Sequence, residues 1–198
     1  MIVGITIRGI TPLLVNKMDA DTLEQLRTKT KAPKTKAIGS TLTPREDAER
    51  KLYIAEDGPY LPGTMLMSCL IEAGKHVRLD GKRQISTTKS TVLPGFLSLL
   101  TPTLRLVKPD TDKAAAWEAD VMQGRNPNGG EAVAICRPRF DEWALDFRVD
   151  IAETEIGENT IRELVDKAGR RCGLGDFRPQ RKGIFGQFVV DCWEREET

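Results

Sequence analysis

The chain has 198 residues, with 30 Lys and Arg against 29 Asp and Glu, so its formal net charge is +1. Hydrophobic residues make up 39% and charged residues 30%, which excludes a disordered chain and fits one globular domain over residues 1–198. A balance this close to zero also excludes a protein that coats nucleic acid through bulk charge, though charge can still be gathered on one side.

No apolar run approaches the roughly 20 residues that span a bilayer, and the opening segment has no secretory pattern. A cytoplasmic protein with no membrane partner is therefore expected. Cys69, Cys136, Cys172 and Cys192 are widely spaced and form no CxxC, and the single His76 has no companion at metal-ligand spacing. The expectation is reduced, mostly buried thiols, with no metal and no cofactor.

In chain order, "IVGITIRGI" puts Val3, Ile5 and Ile7 on one face and predicts a half-buried strand that ends at Thr11-Pro12. Residues 16–51 read as a loop-like insertion with one short helix at "DADTLEQLR". Within it "RTKTKAPKTK" carries Arg27, Lys29, Lys31, Lys34 and Lys36 without an acid, which predicts a basic loop. "KLYIAEDGPYLP" predicts a hairpin turning at Asp57-Gly58. A helix should then start near Pro62, with Met65, Leu66, Cys69, Leu70, Ala73 and Val77 as its core stripe. It ends in a basic cluster, Lys75, His76, Arg78, Lys82 and Arg83, around an Asp80-Gly81 turn.

"FLSLLTPTLRLV" predicts a strand broken at Pro102. Residues 108–139 form a second insertion, with a short helix expected near "DKAAAWEADVM" and a turn-rich tip at "GRNPNGG". The segments "EAVAICRPRF" and "EWALDFRVDI" predict strands. The second alternates Trp143, Leu145, Phe147, Val149 and Ile151 with polar residues. "TIRELVDKAGRRCG" predicts a helix with Thr160 and Glu163 at capping-box spacing and Gly169 and Gly173 as stops. A Gly- and Arg-rich loop then runs into a last strand.

Without its insertions this order is strand, helix, strand, strand, helix, strand. It predicts an α+β, ferredoxin-like (RRM-like) βαββαβ core with both helices on one sheet face. The opposite face is then open to a ligand.

The final loop, "GLGDFRPQRKGIFG", sets Arg178, Arg181 and Lys182 among glycines, and close backbone approach with guanidinium forks suits phosphate oxygens. Phe177 and Phe185 offer stacking surfaces for unpaired bases. The same residues equally fit a tight helix-to-strand connection with a solvated tip. The glycine spacing matches neither a Walker loop nor a dinucleotide fingerprint. Lys17 and the basic run from Arg27 to Lys36 can track a phosphate backbone, or form an ordinary solvated loop. For catalysis the chain offers no assigned constellation. Asp19 and Asp21, after the first strand, and His76 are the candidates, and the aspartates also fit a helix cap.

Three separated pieces carry a family resemblance. "ITIRGITPLL", then "PYLPGTMLMSCLIEAGKHV" with Tyr60, Pro62, Gly63, Thr64 and Leu66, then "GLGDFRPQRKGIFGQFVV" resemble the RAMP proteins. That superfamily includes the backbone subunits of CRISPR effector complexes and the endonucleases that process CRISPR RNA. Met67 stands where the family is usually basic, and the final glycine pattern departs from the usual one. The resemblance implies a ferredoxin-like core and a backbone-type subunit that grips single-stranded guide RNA through basic loops. It implies assembly with copies of itself or with other effector subunits. Residues 16–51 would be a finger-like loop and residues 108–139 a thumb. It leaves open an endoribonuclease of the same superfamily, and a phage or mobile-element mimic of an effector subunit that acts by protein contact.

Overall fold

A computed structural model describes residues 1–18, 20–28, 42–79, 81–125 and 132–196. Its central sheet has four strands: Ile2–Gly9 and Ala144–Ile151 in the middle, flanked by Phe188–Arg195 on one side and Leu97–Leu99 on the other. All three pairings are antiparallel. Helix Gly63–Ala73 lies between the first strand and Leu97–Leu99 in sequence, and helix Glu158–Lys167 between the other two strands. The chain is thus mixed α and β, with two strand-helix-strand passes interleaved in one sheet.

Alternation in the strands decides which face is covered. Val3, Ile5, Ile7, Leu145, Phe147, Val149 and Ile151 are buried, and one core cluster joins them to Leu66, Leu70, Ile161, Leu164 and Val165 of the helices. Removing such a side chain, as in Leu70→Ala, typically costs about 2–5 kcal/mol through lost transfer energy and a residual cavity.

The first helix begins where proline predicts, with Pro62 as its N-cap at φ −62°. Leu66, Cys69, Leu70 and Ala73 are buried and Met65 is half-buried. The segment around Pro102 divides as expected, into Leu97–Leu99 of the central sheet and Thr103–Arg105, which pairs with Gly58–Pro62. Cys69, Cys136 and Cys172 are buried and Cys192 is half-buried, all four as free thiols.

Three expectations need correction. Residues around "DKAAAWEADVM" form no helix: Glu118–Arg125 is a strand that pairs with Ala132–Phe140 in a long hairpin. Cross-strand pairing overrides the helix preference of Ala and Glu. Thr160 and Glu163 form no capping box, because the second helix starts earlier, at Glu158 after Gly157, with no side-chain cap. Glu163 instead pairs with Lys167 at 2.7 Å. Gly169 is no stop, since the helix widens into a π turn over Ala168–Cys172 and ends at Gly173, φ +73°.

The segment 16–51 holds helices Ala20–Thr28 and Pro44–Glu49. The second has a true capping box: Glu46 N–H donates to the Thr43 hydroxyl (3.3 Å), and Thr43 N–H donates to the Glu46 carboxylate (2.7 Å). It packs on the long hairpin, with Arg45 4.4 Å from the Trp117 ring centroid. Leu13–Leu14 adds a third strand beside Ala132–Phe140. No helix among the described residues is long and apolar enough to cross a membrane.

Candidate nucleic-acid interface

Two surfaces compete for a ligand. The open sheet face presents Gly4, Thr6, Asp146, Arg148, Cys192 and Glu194 around a shallow depression. It has no exposed aromatic ring among the described residues, and its cations are neutralised by carboxylates. The Thr6 hydroxyl donates to Asp146 at 2.6 Å. Arg8 donates to Asp110 (2.6 Å) and Asp191 (2.9 Å), and these two hydrogen bonds raise its pKa. Arg148 pairs with Glu196, and the N-terminal ammonium with Asp150 at 3.3 Å. Asp146 and Glu194 remain without a cation bonded to them among the described residues. Such a face repels a phosphate backbone.

The other surface lies where the first helix ends. Gly74–His76 tightens to a 3-10 turn, and the Arg78–Leu79 and Arg83–Gln84 strands form a small hairpin anchored on it by Gln84 Nε2 donating to the Lys75 carbonyl at 2.8 Å. Arg78, Lys82 and Arg83 are exposed, with no acidic partner among the described residues. Lys75 is less free, because it pairs with Glu72 at 2.7 Å. The exposed His76 has no hydrogen bond to its ring among the described residues, while its carbonyl accepts from Lys167 Nζ at 2.6 Å. That bond ties the end of the first helix to the end of the second. The Cys69 thiol strengthens the tie, donating to the carbonyls of Gly173 (3.2 Å) and Ala168 (3.5 Å). Its contact with Cys172, then burial, pushes the Cys69 thiol well above its usual pKa, so it packs as a neutral group.

Past the π turn, the final loop is a rigid object. Gly186 has φ +71°, and a Cβ there would lie 1.9 Å from the Leu174 carbonyl oxygen, so only glycine fits. Its N–H donates to the Pro12 carbonyl (2.7 Å), and Asp176 N–H to that of Leu14 (2.7 Å), which moors the loop to the segment after the first strand. Arg178 is part of this scaffold: it donates to Gln180 (3.0 Å) and to the Gly175 carbonyl (2.6 Å). Arg181 and Lys182, at φ +63°, stand exposed at the tip. Beside them the Phe177 and Phe185 rings lie 6.1 Å apart at 34°, with Phe177 37% exposed. A tilted aromatic pair next to free cations can stack a base and hold its phosphate.

The structure therefore brings Lys75, His76, Arg78, Lys82 and Arg83 into the helix-end region, and Phe177, Arg178, Arg181 and Lys182 into the loop that follows the π turn. Lys17 sits elsewhere, at the foot of the long hairpin, 5.7 Å from the Tyr53 ring centroid. Arg27 lies on the helix Ala20–Thr28, paired with Glu24 at 2.7 Å. Asp21 falls in the first turn of that helix. Asp19, Lys29, Lys31, Lys34 and Lys36 lie outside the described residues.

Two groups escaped the sequence reading. Arg137, 7% exposed, donates to Asp176 at 2.9 Å, and Asn16 donates to the same oxygen at 3.1 Å. This junction clasps the long hairpin, the first-strand exit and the final loop. The spacing of 39 residues between Arg137 and Asp176 gave no signal. The second group is Arg170 and Arg171, both exposed on the π turn and both without an acidic partner among the described residues.

Comparison of structures then decides the fold. One similar chain comes from a structure described as Type III-B Cmr-beta bound to cognate target RNA. It superposes with a TM-score of 0.52 at 13% identity over 98% of this chain and 59% of that one. The other is Cmr6 from Pyrococcus furiosus, with a TM-score of 0.51 at 12% identity over 96% and 98%. The fold is the one these two chains share. This chain thus spans about three fifths of the first of these chains and nearly all of the second. No family model and no curated protein matches it in sequence. At such identities the likeness is one of architecture, a mixed α and β chain with antiparallel sheets.

Proposed function

We propose that this protein is a non-catalytic subunit of a CRISPR-like ribonucleoprotein that holds single-stranded RNA on its loop end. In this reading the core is βαββαβ with insertions at 16–51 and 108–139. The observation that carries it is a set of cations with no acidic partner among the described residues: Arg78, Lys82 and Arg83 on the helix-end hairpin, and Arg181 and Lys182 in the final loop that holds the Phe177–Phe185 pair. Elsewhere most arginines are taken up in ion pairs, among them Arg8, Arg105, Arg137, Arg139, Arg148, Arg162 and Arg195. Unpaired cations at a rigid, glycine-shaped loop are organised for phosphates without first breaking internal pairs.

The RNA in the Cmr-beta structure supports RNA as the ligand, and a complex of subunits as the setting. Stacking on the phenylalanines requires unpaired bases, so the ligand is single-stranded. Other effector subunits or further copies of this chain would continue the path. His76 is exposed and has no carboxylate contact among the described residues, so this reading gives it no acid–base role.

Purification from cells at low salt tests this reading. The expected product is a large particle whose absorbance shows nucleic acid, digested by ribonuclease and released by salt. A small species free of nucleic acid, which also fails to bind added single-stranded RNA, contradicts it. A particle that instead holds another protein stoichiometrically would favour the mimic.

A further inference from the structure

Resting on that reading, we infer that the π turn Ala168–Cys172 is itself a phosphate-binding element, with Arg170 and Arg171 as contacts that bridge the helix-end hairpin and the final loop.

The turn is imposed by packing. A Cβ on Gly169 would come 2.2 Å from the Phe188 carbonyl oxygen, so the last strand approaches the helix as only glycine allows. The helix widens by a residue at this close approach, as helices often do at functional sites. Ala168, Gly169 and Cys172 turn inward and are buried, while the two successive arginines both stay outside. Backbone contacts fix where they sit. Gln187 Nε2 donates to the Arg170 carbonyl at 2.9 Å, which holds the turn to the far end of the final loop. On the other side, Lys167 reaches the His76 carbonyl.

Neither guanidinium has an acidic partner among the described residues, although Glu163 lies on the same helical segment and pairs with Lys167. The turn therefore lies between the two predicted basic elements and joins them. Hairpin, π turn and loop tip then form one track, along which successive phosphates of a single strand can be met by successive fixed cations. Arginine forks on a clamped turn also suit phosphate better than flexible lysines.

The test is a fluorescence anisotropy titration of the full chain with a labelled, mixed-sequence single-stranded RNA over a range of salt. A single strand gives a slope of about −0.7 in log K against log salt per phosphate neutralised. The double variant Arg170→Ala, Arg171→Ala should thus flatten the slope by about 1.4 and weaken binding about a hundredfold near 50 mM salt. Its melting temperature should stay that of the parent, because the two side chains have no charged partner among the described residues. The variant Arg170→Lys, Arg171→Lys should recover most of the slope. An alanine variant with the parental slope and affinity overturns the inference and leaves the proposed function standing. A lysine variant as weak as the alanine one, with the fold intact, also overturns it. A parent protein that binds no RNA overturns the proposed function first, and this inference with it.

Discussion

The open sheet face and the loop end carry the same kinds of side chain in opposite states. On the sheet, Arg8 sits between Asp110 and Asp191 and Arg148 is held by Glu196, so each cation is already neutralised. At the loop end Arg78, Arg83, Arg170, Arg171 and Arg181 have no acidic partner among the described residues. A net charge of +1 hides this division completely. What determines binding is which cations the fold leaves unsatisfied, because a paired guanidinium must give up its carboxylate before it can take a phosphate. The open sheet face is the place the sequence leaves for a ligand, and its charges argue against a nucleic acid there.

The sharpest way to break this contrast is to alter each surface alone. Arg181→Ala with Lys182→Ala should weaken single-stranded RNA binding about a hundredfold near 50 mM salt, on the same counterion argument. Asp146→Asn with Glu194→Gln should change it by no more than about threefold, and in the direction of tighter binding. Anisotropy titrations at matched salt read both. A larger loss from the sheet pair would reverse the assignment.

The junction beneath the loop comes next in size. Asp176→Ala strands the nearly buried Arg137 and frees Asn16. Breaking a buried pair costs about 3–5 kcal/mol, but Asp176 is 36% exposed, so about 2 kcal/mol is expected. The urea midpoint should fall with its slope unchanged, and adding Arg137→Met should restore part of the loss. Absence of any shift would mean that the clasp does not hold the loop.

Thr43→Ala removes the capping box beneath the long hairpin and should cost about 1 kcal/mol by the same denaturation measurement, with RNA affinity unaffected.

The smallest effect is on pH. Glu158 is held below the usual carboxylate range by Arg195 and then Arg162, Glu46 by the Thr43 N–H, and Glu196 by Arg148. Their folded pKa values are lowered, so their contribution is complete above the ordinary value of 4.5 and is lost as pH falls through the lowered ones. Melting temperature should be flat in these groups from pH 6 to 8 and should drop below about pH 4.5. A steady fall between pH 7 and 5 would assign the pH response to other groups.

Periodicity made the core legible. The alternation from Trp143 to Ile151 and the stripe from Leu66 to Ala73 each specify a buried face, and Pro62 marks a helix start by its fixed φ. The basic residues at the end of the first helix were visible too, as was the Phe177–Lys182 loop. What sequence could not supply is pairing. Nothing local distinguishes Arg148, bound to Glu196, from Arg171, which has no acidic partner among the described residues; both are basic residues near apolar ones. The Arg137–Asp176 clasp depends on two segments meeting in space. The true capping box, "TPRE" at Thr43, did lie in the sequence, but within residues 16–51, which read as a loop-like insertion with one short helix elsewhere. Thr160 and Glu163 have the right spacing one turn too late. The π turn is a case where the strand beside it, through Gly169, overrides a helical pattern.

The central claim is tested most directly by ultraviolet cross-linking of the bound protein to single-stranded RNA, followed by peptide mapping. This account predicts cross-linked peptides from residues 74–84 and 167–187, with Phe177 or Phe185 among the attachment sites. Cross-links confined to Ile2–Gly9 and Ala144–Ile151 would place the RNA on the open sheet face and contradict it.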